Sequence, residues 1–280
     1  MSSAQTAPVK AETKVKPFLK WAGGKTQLLP VLLELVPKDF KQYIEPFVGA
    51  GALFFALSGH RPALIADANE ELINAYIAVR DDVNSVIARL KEMRNDKEFF
   101  YFVRSQDLSE LNSTERAARL IFLNKTCFNG LYRVNRHGNF NTPYNGNVGA
   151  NFIQEDILFA ASNALKGAKI VFGDYRAILE ENARKGDLVF LDPPYQPVGK
   201  YSDFKRYTKE RFHEDDHRNL AAEFKRLVEI GCLVILTNSA HDSILELFAD
   251  YETRIVNSKR LISSDSRTRI GQDLIVLGGF

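Results

Sequence analysis

Several short segments of this chain are apolar throughout, and they alternate with segments of helical periodicity. The apolar segments are PALIAD, AKIVFGDY, DLVFLDPPY, GCLVILTNS and QDLIVLGGF, and a shorter one, KQYIE, comes before them. Strands that are apolar on both faces are typical of a parallel sheet covered by helices on both sides. The sequence therefore predicts an α/β fold.

An acidic residue ends or closely follows four of these predicted strands. The four residues are Glu45, Asp67, Asp174 and Asp192. Each of them could simply cap the next helix, but that explanation fits four acids less well than one. Parallel sheets bind ligands at the carboxyl ends of their strands, so the pattern predicts a ligand site at this edge. The stretch from Glu71 to Phe159 then forms an insertion between the second and third strands.

The composition is that of an ordinary globular protein. Of the 280 residues, 45% are hydrophobic and 26% are charged. No apolar run approaches the ~18 residues of a membrane span. Residues 1–16 lack the apolar core of a secretory signal, and we expect a disordered leader there. Cys127 and Cys232 follow no metal or redox spacing, so we expect two buried, reduced side chains.

Basic residues are concentrated in two parts of the chain. No Asp or Glu occurs between Glu115 and Glu155, and a second basic cluster runs from Arg254 to Arg269 with only Asp265 for balance. Such segregation indicates a phosphate-binding surface, although a charge run is more often a solvated face. The basic residues of the first segment are Arg116, Arg119, Lys125, Arg133 and Arg136.

Two glycine-containing segments suggest nucleotide-like ligands. FVGAG follows the predicted strand that ends at Glu45, and it fits a turn where the backbone approaches a ligand. It lacks the third glycine of the dinucleotide-binding motif. AGGKT is similar to a phosphate-binding loop, but Leu19 stands where that loop requires a glycine. The sequence therefore argues against a nucleoside triphosphatase.

Four motifs in a fixed order give the chain a specific resemblance. PFLKWAGGK, EPFVGAGALFF, CFNGLYRVNRHGNFNTPY and DPPY together resemble the Dam-like family of adenine-N6 DNA methyltransferases, and RLISSDSRTR is similar to that family's C-terminal signature. The resemblance spans residues 17–280. It implies a Rossmann-like, S-adenosylmethionine-dependent methyltransferase sheet with a mostly helical inserted target-recognition domain. Residues 17–70 and 160–280 would form the catalytic domain, and residues 71–159 the insertion.

The chemistry of the DPPY motif agrees with this resemblance. The amino group of adenine is a poor nucleophile because its lone pair is delocalised into the ring. The Asp192 carboxylate and the Pro193 carbonyl would accept both amine hydrogens and localise that pair. Pro193 and Pro194 stiffen the backbone and donate no N–H, and Tyr195 offers a stacking face. Because the sulfonium methyl group is already activated, no metal is expected.

The resemblance implies ten residues at the S-adenosylmethionine site. Asp67 suits the ribose hydroxyls, since a carboxylate accepts two hydrogen bonds from a diol. Asp174 would accept a hydrogen bond from the cofactor's adenine, with Tyr175 beside the ring. The full set is Trp21, Lys25, Glu45, Phe47, Gly49, Gly51, Asp67, Asp174, Tyr175 and Asp192.

The resemblance also implies a set of DNA contacts in the insertion and just before it. Arg133 would pair bidentately with a guanine, and the pattern favours GATC as the target site. Gly146 stands where many family members have a basic residue that positions a phosphate, which should weaken binding without changing the bases that are recognised. The predicted DNA-binding residues are Lys20, Asn129, Leu131, Arg133, Asn135 and Pro143.

Methylation of a base within duplex DNA requires that the base be flipped out. We expect residues 199–212 to close over it, with Tyr201, Phe204 or Tyr207 nearby, although an ordinary surface loop is the alternative. His213 and His217 have the spacing of metal ligands, but a solvated first helical turn is the preferred interpretation.

The partners expected from the resemblance are duplex DNA and a cognate restriction endonuclease, with no membrane and no metal. We expect a monomer or weak dimer in the bacterial cytosol or nucleoid. The alternatives are an RNA or protein-glutamine N-methyltransferase and a catalytically silent DNA-binding homologue. Neither other substrate explains the FNGLYRVN insertion, and the intact Asp192 and Tyr195 argue against a silent homologue.

Overall fold

The computed structural model describes residues 15–57, 62–195, 212–259 and 270–280. Most of the predicted leader, the predicted loop over the base except Phe212, and the RLISSDSRTR segment lie outside these residues. Tyr201, Phe204 and Tyr207 therefore also lie outside them.

The described residues contain a seven-stranded sheet with the order β3-β2-β1-β4-β5-β7-β6. Strands β1 to β5 are parallel, and β7 is antiparallel to both β5 and β6. The predicted α/β fold is therefore confirmed, with an antiparallel addition at one end of the sheet. The strands are β1 Tyr43–Glu45, β2 Ala63–Asp67, β3 Ala168–Phe172, β4 Leu188–Leu191, β5 Leu233–Ser239, β6 Glu252–Lys259 and β7 Ile270–Gly278.

Helices connect the strands, and polar caps define several of their starts. The side chains of Asn69 and Asp96 cap α3 and α4, and Asn112 forms a capping box with Glu115 at the start of α5. The helices are α1 Leu29–Leu35, α2 Ala52–Leu57, α3 Glu70–Lys91, α4 Lys97–Ser105, α5 Ser113–Thr126, α6 Glu155–Leu165, α7 Tyr175–Asn182, α8 Glu214–Glu229 and α9 Asp242–Leu247. None of the helices in the described ranges is both long and apolar enough to cross a membrane.

The alternation of side chains along the strands produces two apolar cores, one on each face of the sheet. Phe190 of β4 points into the core that contains residues of α3, α5 and α6. Its neighbours Val189 and Leu191 point into the opposite core, which contains residues of α7, α8 and α9. Because both faces are covered, the strands are apolar throughout, as the sequence pattern indicates.

The helices between β2 and β3 share a core with the sheet. Phe100 of α4 and Phe122 of α5 belong to the same apolar cluster as Phe190. The predicted domain boundaries at 71 and 159 fall within α3 and α6. The division into a catalytic domain and an insertion thus remains a prediction.

The strand order places a topological switch between β1 and β4. The chain runs outward from β1 to β2 and β3, and then returns to place β4 on the other side of β1. Ligands of open α/β sheets bind in the crevice outside the carboxyl ends at such a point. Glu45 ends β1 and Asp192 follows β4, so both flank this crevice.

The stability of the sheet can be tested with two isoleucines in different strands. Ile235 of β5 is fully buried, whereas Ile255 of β6 is 53% exposed. We expect Ile235→Ala to lower the free energy of unfolding by about 2–5 kcal/mol because it leaves a cavity in the core. Ile255→Ala should change it by less than about 0.5 kcal/mol. Urea unfolding measures both, and equal losses would contradict the assignment of the core.

Candidate active site

The Asp192 carboxylate is held at the carboxyl end of β4 by two side chains. Lys25 Nζ lies 2.6 Å from each of its oxygens. Thr237 of the adjacent strand β5 donates a hydrogen bond of 2.8 Å to Oδ1. Only 17% of the Asp192 side chain is exposed. The carboxylate therefore has a defined orientation before any ligand binds.

Burial raises the pKa of Asp192, and repulsion from Asp273 adds to the rise. Lys25 and the Thr237 hydroxyl oppose this effect. The result is a carboxylate whose proton affinity exceeds that of an ordinary aspartate. Such a group is a stronger hydrogen-bond acceptor for an N–H donor.

Lys25 begins a short 3-10 turn that follows two glycines, and its side chain is 7% exposed. Its ammonium donates to the Gly23 carbonyl and lies 4.5 Å from the centre of the Tyr195 ring. The predicted cofactor residue Lys25 thus meets the predicted catalytic residues Asp192 and Tyr195. Of the two intervening residues, Pro193 is buried and Pro194 is exposed.

Glu45 provides a second acid beside Asp192. It is buried at the end of β1, and the Tyr43 hydroxyl donates a hydrogen bond of 2.9 Å to its Oε2. Burial raises the pKa of Glu45 well above its ordinary value, and repulsion from Asp192 adds to the rise. Glu45 and Asp192 therefore form an electrostatically coupled pair across strands β1 and β4.

Asp67 links the end of β2 to the glycine turn after β1. Its Oδ2 accepts a hydrogen bond of 3.1 Å from the Gly49 N–H, and its Oδ1 accepts one of 3.0 Å from the Asn69 N–H. Burial raises the pKa of Asp67 to about 6. The carboxylate therefore still ionises in the neutral range, and it fixes the shape of the turn.

Gly49 is required by both the conformation and the surroundings of this turn. Its φ of +46° lies in the left-handed region, and a Cβ there would lie 2.9 Å from the Trp21 ring. The Tyr76 hydroxyl donates a hydrogen bond of 3.0 Å to the Gly49 carbonyl. Gly51, with a φ of +67°, is also left-handed. Trp21 stacks in turn on Tyr132 of the inserted segment, with ring centres 4.9 Å apart.

An aromatic cluster lies on the other side of the β1 end. Phe47 and Tyr175 have ring centres 4.9 Å apart, and Phe212 contacts both of them. Asp174 does not point into this cluster as a free acceptor. It caps α7, forms an ion pair of 3.0 Å with Arg176 and is half exposed.

The interpretation of His217 as part of a solvated turn is wrong. The side chain is 2% exposed, packs edge-on against Phe212 with ring centres 4.8 Å apart, and has its Nδ1 3.4 Å from the Asn238 amide nitrogen. Burial lowers its pKa to about 4, so the ring is neutral at pH 7. The helical spacing turns His217 inward while His213 stays exposed. Among the described residues no group of three metal-ligating side chains occurs.

The predicted DNA-binding residues lie on a turn stabilised by backbone and side-chain bonds. Asn129 has a φ of +54° within the turn 128–130, and the Phe128 N–H donates to the Pro143 carbonyl at 2.8 Å. Arg133 donates to Asn141 through Nε at 2.7 Å and through Nη2 at 3.3 Å. Asn135 caps the following loop by accepting from two backbone N–H groups. Leu131 is partly exposed on the same turn.

Asn124 joins Lys20 to this turn. Its Oδ1 accepts from the Lys20 N–H at 2.8 Å, and its Nδ2 donates to the carbonyls of Lys20 at 2.7 Å and Gly130 at 3.1 Å. Asn124 is fully buried. One side chain therefore sets the distance between the two segments that carry the predicted DNA contacts.

Two residues of the predicted phosphate-binding surface have structural roles instead. Arg116 forms ion pairs with Glu70 and Glu71, which are distant in sequence but adjacent in the fold. Arg119 is buried and donates to the carbonyls of Val103 and Arg104 at the end of α4. The acid-free stretch of sequence is therefore not a uniformly basic surface.

Thr237 and Asn124 are site residues that the sequence analysis missed. Thr237 belongs to the polar Thr-Asn-Ser end of the otherwise apolar strand β5. Polar residues at the carboxyl end of an apolar strand could have identified it as a site residue. Asn124 lies in an otherwise apolar part of α5, and no sequence pattern marks its contacts.

A mostly parallel sheet with acids at the carboxyl ends of its central strands is typical of α/β enzymes that bind a ligand at this edge. More particularly, the chain belongs to the D12 class N6 adenine-specific DNA methyltransferases, because the sequence profile of that family matches residues 21–263. The resemblance seen in the sequence and the predicted enzyme class are thereby confirmed.

Relatives of similar length support this membership. The chain is 40% identical to the type II methyltransferase M.MjaIII of Methanocaldococcus jannaschii, over 89% of this chain and 93% of that protein. It is 36% identical to the type II methyltransferase M1.LlaDCHI of Lactococcus lactis subsp. cremoris, over 93% and 94% of the two chains. It is 30% identical to the DNA adenine methylase of Haemophilus influenzae, over 97% and 96%.

Replacing Asn124 tests its role as the link between the two segments. Asn124→Ala removes the hydrogen-bond partner of the buried Gly130 carbonyl and of two partly buried backbone groups of Lys20, and a buried group without a partner costs about 1–3 kcal/mol. We expect the free energy of unfolding to fall by about 3 kcal/mol in urea titrations. The control is Asn163→Ala, which removes an exposed hydrogen bond to Lys166. A loss of equal size in both variants would contradict this role.

Proposed function

We propose that this enzyme transfers the methyl group of S-adenosylmethionine to N6 of an adenine flipped out of duplex DNA. The observation that carries the proposal is the Asp192 carboxylate, which is buried beside an aromatic ring and already binds a nitrogen donor at 2.6 Å. A site that holds an ammonium in this way has the acceptor geometry for an exocyclic amine.

Asp192 and Pro193 would activate the amine by accepting its two hydrogens. The Asp192 oxygens take one N–H, and the Pro193 carbonyl takes the other. These bonds favour a tetrahedral nitrogen with a localised lone pair, directed at the methyl carbon. As the N–C bond forms, the amine becomes acidic and releases a proton toward Asp192 Oδ2. Tyr195 holds the plane of the base by stacking.

The residues around the glycine turn fit S-adenosylmethionine. Asp67 has an ionisable carboxylate at the end of β2, where a ribose diol would supply two donors. Gly49 and Gly51 let the backbone approach a ligand closely, and Phe47 and Tyr175 supply apolar ring surface. When bound, the cofactor supplies a methyl group already activated by a sulfonium. Glu45 then serves to orient the turn or the amino group of the cofactor.

Arg133 supports recognition of a guanine within the target site. In the described part of the chain, Arg133 donates hydrogen bonds only to Asn141, through Nε and one N–H of Nη2. An arginine has five N–H donors, so three remain, and two of these, one on each Nη, lie at its outer edge. That edge matches the O6 and N7 acceptors of guanine, while Asn141 holds the guanidinium from behind. With Lys20 held by Asn124 at the other end, the arrangement supports GATC as the recognised sequence.

We propose that the protein acts as a monomer, as the resemblance seen in the sequence implies. Two relatives are named type II methyltransferases, which supports a role in protecting DNA from a cognate restriction endonuclease.

The catalytic role of Asp192 is tested by methyl transfer to duplex DNA that lacks adenine methylation. We expect Asp192→Ala to lower kcat by about 10²–10³-fold, because the amine loses its acceptor. Asp250→Ala, which removes an exposed acid in a loop, is the matched control and should retain the rate of the wild type.

Equal rates for Asp192→Ala and the wild type would overturn the mechanism. Sequencing of the modified bases in the same reactions tests the recognised site. Methylated adenines outside GATC would overturn the specificity and leave the mechanism intact.

The ionisation of Asp67 predicts how cofactor affinity depends on pH. The ionised Asp67 carboxylate can accept the two hydrogen bonds of the ribose diol, and protonation removes one of these acceptor positions. The affinity for S-adenosylmethionine should therefore fall as the pH drops through the pKa of Asp67, about 6. Between pH 7 and pH 5 we expect a loss of about tenfold, measured by calorimetry with S-adenosylmethionine. Glu45 and Asp192 also have raised pKa values, so the comparison with Asp67→Asn isolates this group. An unchanged pH profile in Asp67→Asn would contradict the assignment.

A further inference from the structure

We propose that Lys25 is a positioning residue that occupies the place of the target amine until a flipped adenine displaces it. The inference rests on the proposed function, because it assumes that Asp192 and Tyr195 hold the base. It adds a role for Lys25 that is separate from cofactor binding.

The ammonium already contacts both groups that would hold the adenine. It lies 2.6 Å from the Asp192 oxygens and 4.5 Å from the centre of the Tyr195 ring. An adenine amine that is bound to Asp192 would need the position that the ammonium holds. Lys25 and the amine therefore compete for the same carboxylate.

The acceptor capacity of Asp192 leads to the same conclusion. A carboxylate offers about four acceptor positions, two on each oxygen. Lys25 uses a position on both oxygens, and Thr237 uses a second position on Oδ1. Among the described residues one position remains, on the Oδ2 that already accepts from Lys25. An amine that donates to this oxygen therefore competes with the ammonium for it.

The surrounding charges explain why a cation is placed there. Asp192 lies close enough to Glu45 and Asp273 for mutual repulsion to act on it. A buried carboxylate without a partner is costly, and Lys25 removes that cost while the pocket holds no base. The attraction of Lys25 already acts on Glu45 as well. When displaced, the flexible lysine side chain can thus remain within the same group of acids.

Displacement of Lys25 from Asp192 depends on the amino group of the base. A base with an N–H donor can replace the bonds that Asp192 loses when Lys25 leaves. A base without that amine offers Asp192 no N–H donor in its place, so the ammonium stays on the carboxylate. Lys25 therefore sets the free energy that the amine must supply, and this coupling between ammonium and amine can be measured.

A double-mutant cycle between the lysine and the amine tests the inference. One duplex carries adenine at the target position and the other carries purine, which lacks the 6-amino group. Affinities of wild type and Lys25→Met for both duplexes are measured with S-adenosylhomocysteine present, so that no transfer occurs. We expect the adenine-to-purine affinity ratio to be about tenfold higher in Lys25→Met, because the amine no longer competes with the ammonium.

Lys20→Met is the matched control, since it removes an exposed lysine from the same segment. It should weaken binding of both duplexes alike and leave the ratio unchanged. Lys25→Arg keeps a cation near Asp192 and should return the ratio toward that of the wild type. If Lys25→Met does not fold, Lys25→Gln, which keeps an N–H donor without the charge, must show a ratio above that of the wild type.

The outcomes separate this inference from the proposed function. If neither the wild type nor Lys25→Met distinguishes adenine from purine duplexes, Asp192 does not hold the amine, and the proposed function fails. If the wild type discriminates and the uncharged variants show the same ratio, only the inference about Lys25 fails. A loss of affinity for S-adenosylhomocysteine with an unchanged ratio would assign Lys25 to the cofactor alone.

Discussion

The ion pair between Lys25 and Asp192 is the interaction on which the organisation of the site depends. It places a negative charge in a largely buried position at the end of a central strand, where an isolated carboxylate would be strongly disfavoured. Strand β4 lies between β1 and β5, so Glu45 and Thr237 flank the carboxylate from either side. The lysine comes from a segment outside the sheet. The sheet supplies acids and a hydroxyl, and the N-terminal segment supplies the compensating cation.

The same N-terminal segment connects the proposed catalytic site to the proposed DNA-binding turn. Within six residues it contains Lys20, which is bound through its backbone to Asn124, and Trp21, which stacks on Tyr132. Lys25 follows at Asp192. Because Asn124 also binds the Gly130 carbonyl, a shift of the recognition turn must move this segment. The contacts therefore form a short mechanical path between the turn that we propose to face DNA and the carboxylate that we propose to be catalytic.

Much of the fold could be predicted from the sequence, because strands covered on both faces leave a clear apolar signal. Strand β6 escaped prediction because its sequence, ETRIVNSK, contains only two adjacent apolar residues and lies at the edge of the sheet. The four acids at or just after strand ends were located from the apolar pattern of the strands, and Asp174 proved to cap α7. The roles of Arg116, Arg119 and His217 were misjudged because linear charge and helical spacing do not reveal partners from other elements. The Thr237 and Asn124 contacts depend on tertiary packing in the same way.

The single amide of Asn124 has a consequence for how enzymes of this kind diverge. It fixes the span between Lys20 and the turn that contains Leu131 and Arg133. Substitutions at Lys20 or in the turn can change which bases are recognised while the distance between the two segments stays the same. An enzyme that recognises a longer or shorter target sequence must change the hydrogen bonds of Asn124 that set this distance. In related enzymes, the base identities of the recognition sequence should therefore change more readily than its length.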